Sequence, residues 1–289
     1  MIQNNNFSVL PFYTSKAFWY SNRPESFGEL YPLITPNGYF PTFQFTLPGD
    51  YPHLDVCDFR LFNVEGESVL NVTSALIEAG LSTAVSALNP GYTTFIYSAT
   101  APYTLDLPEG PYYLRMAFPN GIELYSEIFT IVNDISDCIE ISWWDDEDLY
   151  FDAGYILYQN AFRHKLYLKA GLGRPAYEYD EEGTSRSGYY FAEKQVSEKV
   201  YKFTFVAPEF LCDAIRFIRI SDNVVVKYLG KIYNCDSFLP SFDWLEQGDL
   251  ASVEVEFKTN TVVKKIAAGF LRHKAGHFNG DYNPDFDNA

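Results

Sequence analysis

Sulfur is scarce in this chain: four cysteines and two methionines in 289 residues. Cys57, Cys138, Cys212 and Cys235 stand far apart with no CxxC pair, which excludes zinc-ribbon and thioredoxin-type readings. So few in so long a chain make no disulfide framework, and free, mostly buried thiols are expected. Long apolar runs are missing too, so no segment reads as a membrane span. The N-terminus, MIQNNNFSVLPFY, has no basic stretch ahead of an apolar core. The expectation is a soluble protein made in a cytoplasm, not a secreted one. Asn71-Val72-Thr73 fits a glycosylation acceptor, which carries no weight without secretion.

Basic residues are the next shortage. Against 38 acidic side chains there are 21 basic ones, a net charge of -17. The deficit runs through both halves: residues 1–134 carry 4 basic and 13 acidic side chains, leaving 17 and 25 for the rest. A general nucleic-acid binder would show a basic field, so that class is disfavoured. The local exception is Lys258, Lys264, Lys265, Arg272 and Lys274, a cluster that either touches an acidic neighbour or is simply solvated.

Aromatic residues, by contrast, are abundant, with 25 Phe and 23 Tyr. They favour strands, and the chain reads as folded and all-β. Its most readable stretch is Leu105 to Val132. Tyr112, Leu114, Met116 and Phe118 alternate with Tyr113, Arg115 and Ala117, the period of two that puts one row on one face of a strand. Asn120-Gly121 supplies a hairpin turn, and Ile122, Leu124, Ser126 and Ile128 return. Phe129 and Ile131 break the polar row, so a bulge sits there or both faces become buried. Upstream, Leu107-Pro108-Glu109-Gly110-Pro111-Tyr112 has the pattern of a tyrosine corner, a mark of immunoglobulin-like sandwiches.

Further strands are expected at Tyr39–Leu47, Val56–Val64, Val69–Thr73 and Thr93–Tyr97, with an ambiguous segment at Ala75–Leu88 whose helical stripe Gly80 weakens. Residues 1–35 form an aromatic, Pro-rich arm in which Phe18, Trp19 and Tyr20 pack on their own domain or on a neighbouring subunit. An immunoglobulin-like sandwich over 36–133 then gives way, through Asn133–Asp137, to a second β-rich, sandwich-like domain over 134–268. There the pattern marks strands at Cys138–Trp144, Arg163–Ala170, Phe217–Ile220, Val224–Tyr228 and Ala251–Phe257. Tyr189–Phe191 is expected to pair with Val200–Val206 across a turn near Ser197-Glu198. One short helix begins at Pro208-Glu209. Residues 269–289 read as a flexible tail.

No constellation carries a catalytic signature. Trp143-Trp144-Asp145-Asp146-Glu147-Asp148 joins aromatics to acids, as sugar sites do, but also fits a strand end followed by a solvated acidic loop. Tyr177–Glu182 is similar. His273 and His277 have the spacing of a zinc helix without its Glu, and Asp281–Asp287 lacks the closing Glu of a calcium loop. His164 sits on an apolar strand face as a satisfied core residue. Neither a cofactor nor a metal is expected.

Three segments share phrasing with a known group: LPEGPYYLRM…ELYSEIFTI, HKLYLKAGLGRPAYEYDEEGTSRSGYYFAEKQVSEKVYKF and QGDLASVEVEFKTNTVVKK. Over residues 105–268 the chain resembles virion proteins of tailed phages and prophages of gut Bacteroidales, crAss-like phages included. The resemblance implies a non-enzymatic structural subunit in the tail region, part of a tail, collar or baseplate ring. Its partners would be copies of itself and other virion tail or connector proteins. The alternative is a carbohydrate-binding β-sandwich module using Trp143, Trp144 and nearby acids.

Overall fold

The computed structural model describes residues 8–16, 33–49, 54–85, 91–103, 105, 107–145, 156–158, 162–244, 250–259 and 263–266. The chain is all-β. Its first module comprises β1 (Phe12–Tyr13), β2 (Ile34–Pro36), β3 (Phe43–Pro48), β4 (Asp58–Asn63), β5 (Ser68–Asn71), the helical turn α1 (Thr73–Glu78), β6 (Leu81–Val85), β7 (Tyr92–Tyr97), β8 (Gly110–Ala117), β9 (Glu123–Ser126) and β10 (Phe129–Val132). Two sheets face each other. One is β3-β7-β6, and the other runs β5-β4-β8 and on through β9 and β10 to β2. β2 lies parallel to β10, whereas the other pairs are antiparallel. Tyr112 donates its hydroxyl to the Pro108 carbonyl at 3.0 Å, the hydrogen bond of a tyrosine corner. This is an immunoglobulin-like sandwich.

The aromatic surplus fills its core. Phe45 stacks on Phe95 at 4.9 Å, Phe12 sits 4.9 Å from Phe45, and Phe118 meets Phe95 at 5.2 Å. Phe12 comes from the segment expected to be an arm. Of the two alternatives for that arm, residues 8–13 and 33–35 take the first and pack on the sandwich, with Val9, Leu10, Phe12 and Leu33 buried. The same segment explains the imperfect alternation of β4. Phe62 stacks on Tyr113 at 5.4 Å, and the Lys16 ammonium lies 5.5–5.9 Å from the rings of Phe62, Tyr113 and Tyr125.

The broken alternation at Phe129 is a bulge. Arg115 pairs with Tyr125, yet Tyr112 pairs with Phe129, one residue further along than that register requires. The Ser126 hydroxyl fills the gap, accepting the Leu114 N–H at 2.8 Å. At the hairpin tip only Gly121 is left-handed (φ 82), while Asn120 accepts the Ile122 N–H through its side chain. Gly80 (φ 110) ends α1 and starts β6, which resolves the ambiguous segment. A Cβ there would lie 2.5 Å from Thr100 Oγ1.

The second module contains β11 (Ile139–Trp144), β12 (His164–Leu168), β13 (Ala176–Arg186), β14 (Tyr189–Pro208), α2 (Glu209–Arg216), β15 (Asn223–Tyr228), β16 (Lys231–Trp244), β17 (Leu250–Thr259) and β18 (Val263–Ile266). Their hydrogen-bonded order is β12-β11-β15-β16-β17-β14-β13, with β18 also on β14. β2 joins the modules: Ile34 pairs with Thr130 of β10 and with Tyr167 of β12. One buried cluster runs from Phe45 and Phe95 through Ile139, Ile141 and Trp143 to Val255 and Phe257.

Three expectations for this half are overturned. Phe217–Ile220 is a 3-10 turn continuing α2 rather than a strand, and Ser221 closes it by donating its hydroxyl to the Phe217 carbonyl. There is no turn at Ser197-Glu198, because β14 is one strand of 20 residues. The hairpin turns instead at Ser187 and Gly188, both left-handed (φ 50 and 83), as a tight two-residue turn demands. The acidic run at Tyr177–Glu182 is strand, not loop.

The outward face of β3 is tied to the second module. Buried Gln44 mimics a peptide group: its Nε2 donates to the Leu157 carbonyl at 2.6 Å and its Oε1 accepts the Leu157 N–H at 3.0 Å. Beside it, Thr42 Oγ1 accepts the Lys165 N–H at 3.0 Å. Gln44→Leu leaves both Leu157 groups unpaired, at about 1–3 kcal/mol for each. The expected result is a lowered urea midpoint at unchanged m value; an unchanged midpoint would show that the amide pair contributes nothing.

Candidate functional site

The strands β12, β11 and β15 present two different faces. Trp143, Ile141 and Ile139 look into the core with His164, Leu166 and Leu168, which sit opposite them in register. The alternate residues form the other face: Glu140, Ser142 and Trp144, flanked by Lys165 on one side and by Val225 and Lys227 on the other. With Arg163 and with Ser98, Ala99 and Thr100 of the first module they line a half-open cleft of about 390 Å³. Ala99, in the loop that follows β7, has φ 47, a left-handed conformation uncommon outside glycine.

Three cations and one carboxylate meet in this cleft. The Arg163 guanidinium covers the Trp144 ring at 4.0 Å. Lys227 Nζ lies 2.8 Å from Glu140 Oε1, and the Ser142 hydroxyl reaches the same oxygen at 3.5 Å. Lys165 Nζ stands 5.6 Å from the centre of the Tyr39 ring. Burial lowers the Lys165 pKa. Glu140 opposes that shift, and Lys227 and Arg163 add to it. The cleft is therefore a local excess of positive charge in a strongly acidic protein. Its two rows are visible in the sequence as the polar halves of alternating strands, but only the pairing of β11 with both neighbours brings them together.

The proposed ligand residues separate. Trp143 is fully buried and stacks on His164 at 4.8 Å, so it offers no platform. Trp144 lines the cleft with one face occupied by Arg163. Asp145 is buried rather than solvated, its Oδ1 accepting the Asp222 N–H at 2.5 Å. The acids that follow, Asp146 to Asp148, lie outside the described residues. So do Phe18, Trp19 and Tyr20, both C-terminal histidines and the Asp-rich tail. Glu140 is the one carboxylate lining the cleft among the described residues, so the carboxylate pair of a glycosidase is not assembled there. Among these residues no metal-ligating cluster forms, no helix is long and apolar enough to cross a membrane, and the thiols of Cys138, Cys212 and Cys235 are free.

A second feature is the β13–β14 hairpin. Tyr177, Tyr179 and Tyr190 share one face and are 57%, 79% and 53% exposed. Ion pairs brace the opposite face, Lys194 with Glu182 at 2.8 Å and Lys258 with Glu178 and Glu198 at 2.7 and 3.0 Å. Lys258, the first member of the basic cluster, is thus paired across three strands, and both carboxylates raise its pKa. Among the described residues the outer edge of β13 has no strand beside it.

No protein-family model matches this chain, and no curated protein matches it. Among solved structures it is similar to the titin domains z1z2 in complex with telethonin, at 11% sequence identity over 81% of this chain and 90% of that one, with a TM-score of 0.16. So low a score carries no argument, and the immunoglobulin-like assignment stands on the strand pairing and the tyrosine corner.

His164 was expected to be a satisfied core residue. It is fully buried among Trp143, Tyr158 and Phe162, but neither ring nitrogen has a hydrogen-bond partner among the described residues. Burial pushes its pKa from 6.5 down to about 3. The folded ring stays neutral where the unfolded one is protonated, so the unfolded state binds more protons between those values. The stability it allows is complete above pH 6.5 and lost as pH falls from 6.5 towards 3. Urea titrations of wild type and His164→Phe should show a stability difference that shifts against the wild type by up to about 1.4 kcal/mol per pH unit in that window. A difference independent of pH would contradict the neutral buried imidazole.

Proposed function

We propose that this chain is a non-enzymatic structural subunit of a phage virion, built into a ring of the tail region through contacts between copies. The observation that carries the reading is the β13–β14 hairpin, an 11-residue edge strand and its partner with three tyrosines exposed on one face. Exposed aromatics in a row are costly for a lone soluble protein and are enriched where proteins meet. An open strand edge offers main-chain hydrogen bonds to a neighbour. The shared core of the two modules suits a subunit that must hold its shape while carrying contacts. The phrasing shared with Bacteroidales phage virion proteins supplies the biological setting.

The reading predicts a closed homo-oligomer by light scattering and the presence of this chain in purified virions by mass spectrometry. Tyr177→Ser with Tyr179→Ser should shift the mass towards that of a monomer. The thermal midpoint should hardly move, since exposed substitutions stay within about 0.5 kcal/mol. A wild-type protein that is monomeric at every concentration and missing from virions would overturn the proposal. An oligomer indifferent to both substitutions would remove the hairpin from it.

A further inference from the structure

The cleft between the modules is independent of the hairpin, and its chemistry points to a ligand. Arg163 and Lys165 have no carboxylate partner within ion-pair distance among the described residues. Glu140, the carboxylate of the cleft, is engaged by Lys227 at 2.8 Å. Two positive groups thus face one small cavity, each within the electrostatic reach of the other. An anion bound between them would offset their mutual repulsion. The Arg163 guanidinium lies over the Trp144 ring with its carbon 4.0 Å from the ring centre, and a guanidinium can take a carboxylate by planar, two-pronged hydrogen bonding. The cavity, at about 390 Å³, falls in the range of small-molecule sites.

Glu140 narrows the ligand class. A bare inorganic anion would be attracted by the cations and repelled by this carboxylate. A molecule with a carboxylate at one end and hydroxyls at the other satisfies both, because its hydroxyls donate to Glu140 and exchange hydrogen bonds with Ser142. We propose that this cleft binds a sugar acid, its carboxylate on Arg163 and Lys165 and its hydroxyls towards Glu140 and Ser142. The sugar does not stack on Trp144 as on an open platform, because the indole serves to orient the guanidinium.

The test is isothermal titration of the full-length protein with glucuronate, with glucose and acetate as controls for hydroxyls alone and carboxylate alone. Glucuronate should bind saturably at one site per chain, more weakly as salt rises. Glucose should give no saturable heat, and acetate should bind at least tenfold more weakly. Arg163→Gln and Lys165→Gln should each weaken glucuronate about tenfold or more, as expected for a lost charge-assisted hydrogen bond. Lys199→Gln, on the distant hairpin, should not. Thermal midpoints equal to wild type establish that the variants are folded. The proposal fails if glucuronate gives no saturable binding, if acetate matches it, or if both cleft variants that keep the wild-type midpoint bind as wild type does. None of these outcomes bears on oligomerisation.

Discussion

An immunoglobulin-like sandwich has two outer faces, and the arrangement of this chain depends on how one of them is covered. The outward side of β3 and β7 carries Gln44 and Ile96, both buried, so it cannot face water. Ile96 packs with Ile156, Leu157, Tyr158 and Phe162, and the Gln44 amide pairs with the Leu157 backbone as another strand would. Apolar contact supplies the driving force and the amide pair sets the position, since a misplaced segment would leave buried polar groups without partners. β2 adds a second tie: a strand hydrogen-bonded to both modules holds them in one sheet.

The cleft lies where the two modules meet, and the hairpin lies at the far end of the second module's sheet. Ser98 to Thr100, just after β7, line the cleft together with residues of β11, β12 and β15. The hairpin projects from β14, whose lower half pairs with β17 from Val200 to Pro208 while its upper half carries β13 and β18. A long strand anchored along half its length transmits load from its tip into the core, which contains Phe203, Val253, Val255 and Phe257.

Local pattern made the first module readable. The tyrosine corner, the hairpin at Gly121 and the bulge before Phe129 each depend on a few neighbouring residues, and alternation or turn chemistry exposes them. The second module was less legible for physical reasons. β13 and the upper part of β14 lie in an exposed arm, so they have no buried row to create a hydrophobic alternation. β16 contains Pro240 and a register shift between Cys235 and Ser237, and both mask its periodicity. Trp143 and Trp144 looked equivalent because adjacent strand residues differ only in the face they take, and the sequence alone does not say which face is covered. Arg163, Lys165, Glu140 and Lys227 were visible as polar rows, but their meeting in one cleft depends on partners far apart in sequence.

The central claim is that the two modules form one mechanical body through β2, Gln44 and a continuous core. Differential scanning calorimetry tests it most directly. The account predicts a single transition with calorimetric and van't Hoff enthalpies in agreement, because neither module can open without exposing the other's buried face. Two resolved transitions, or a van't Hoff enthalpy near half the calorimetric one, would contradict it.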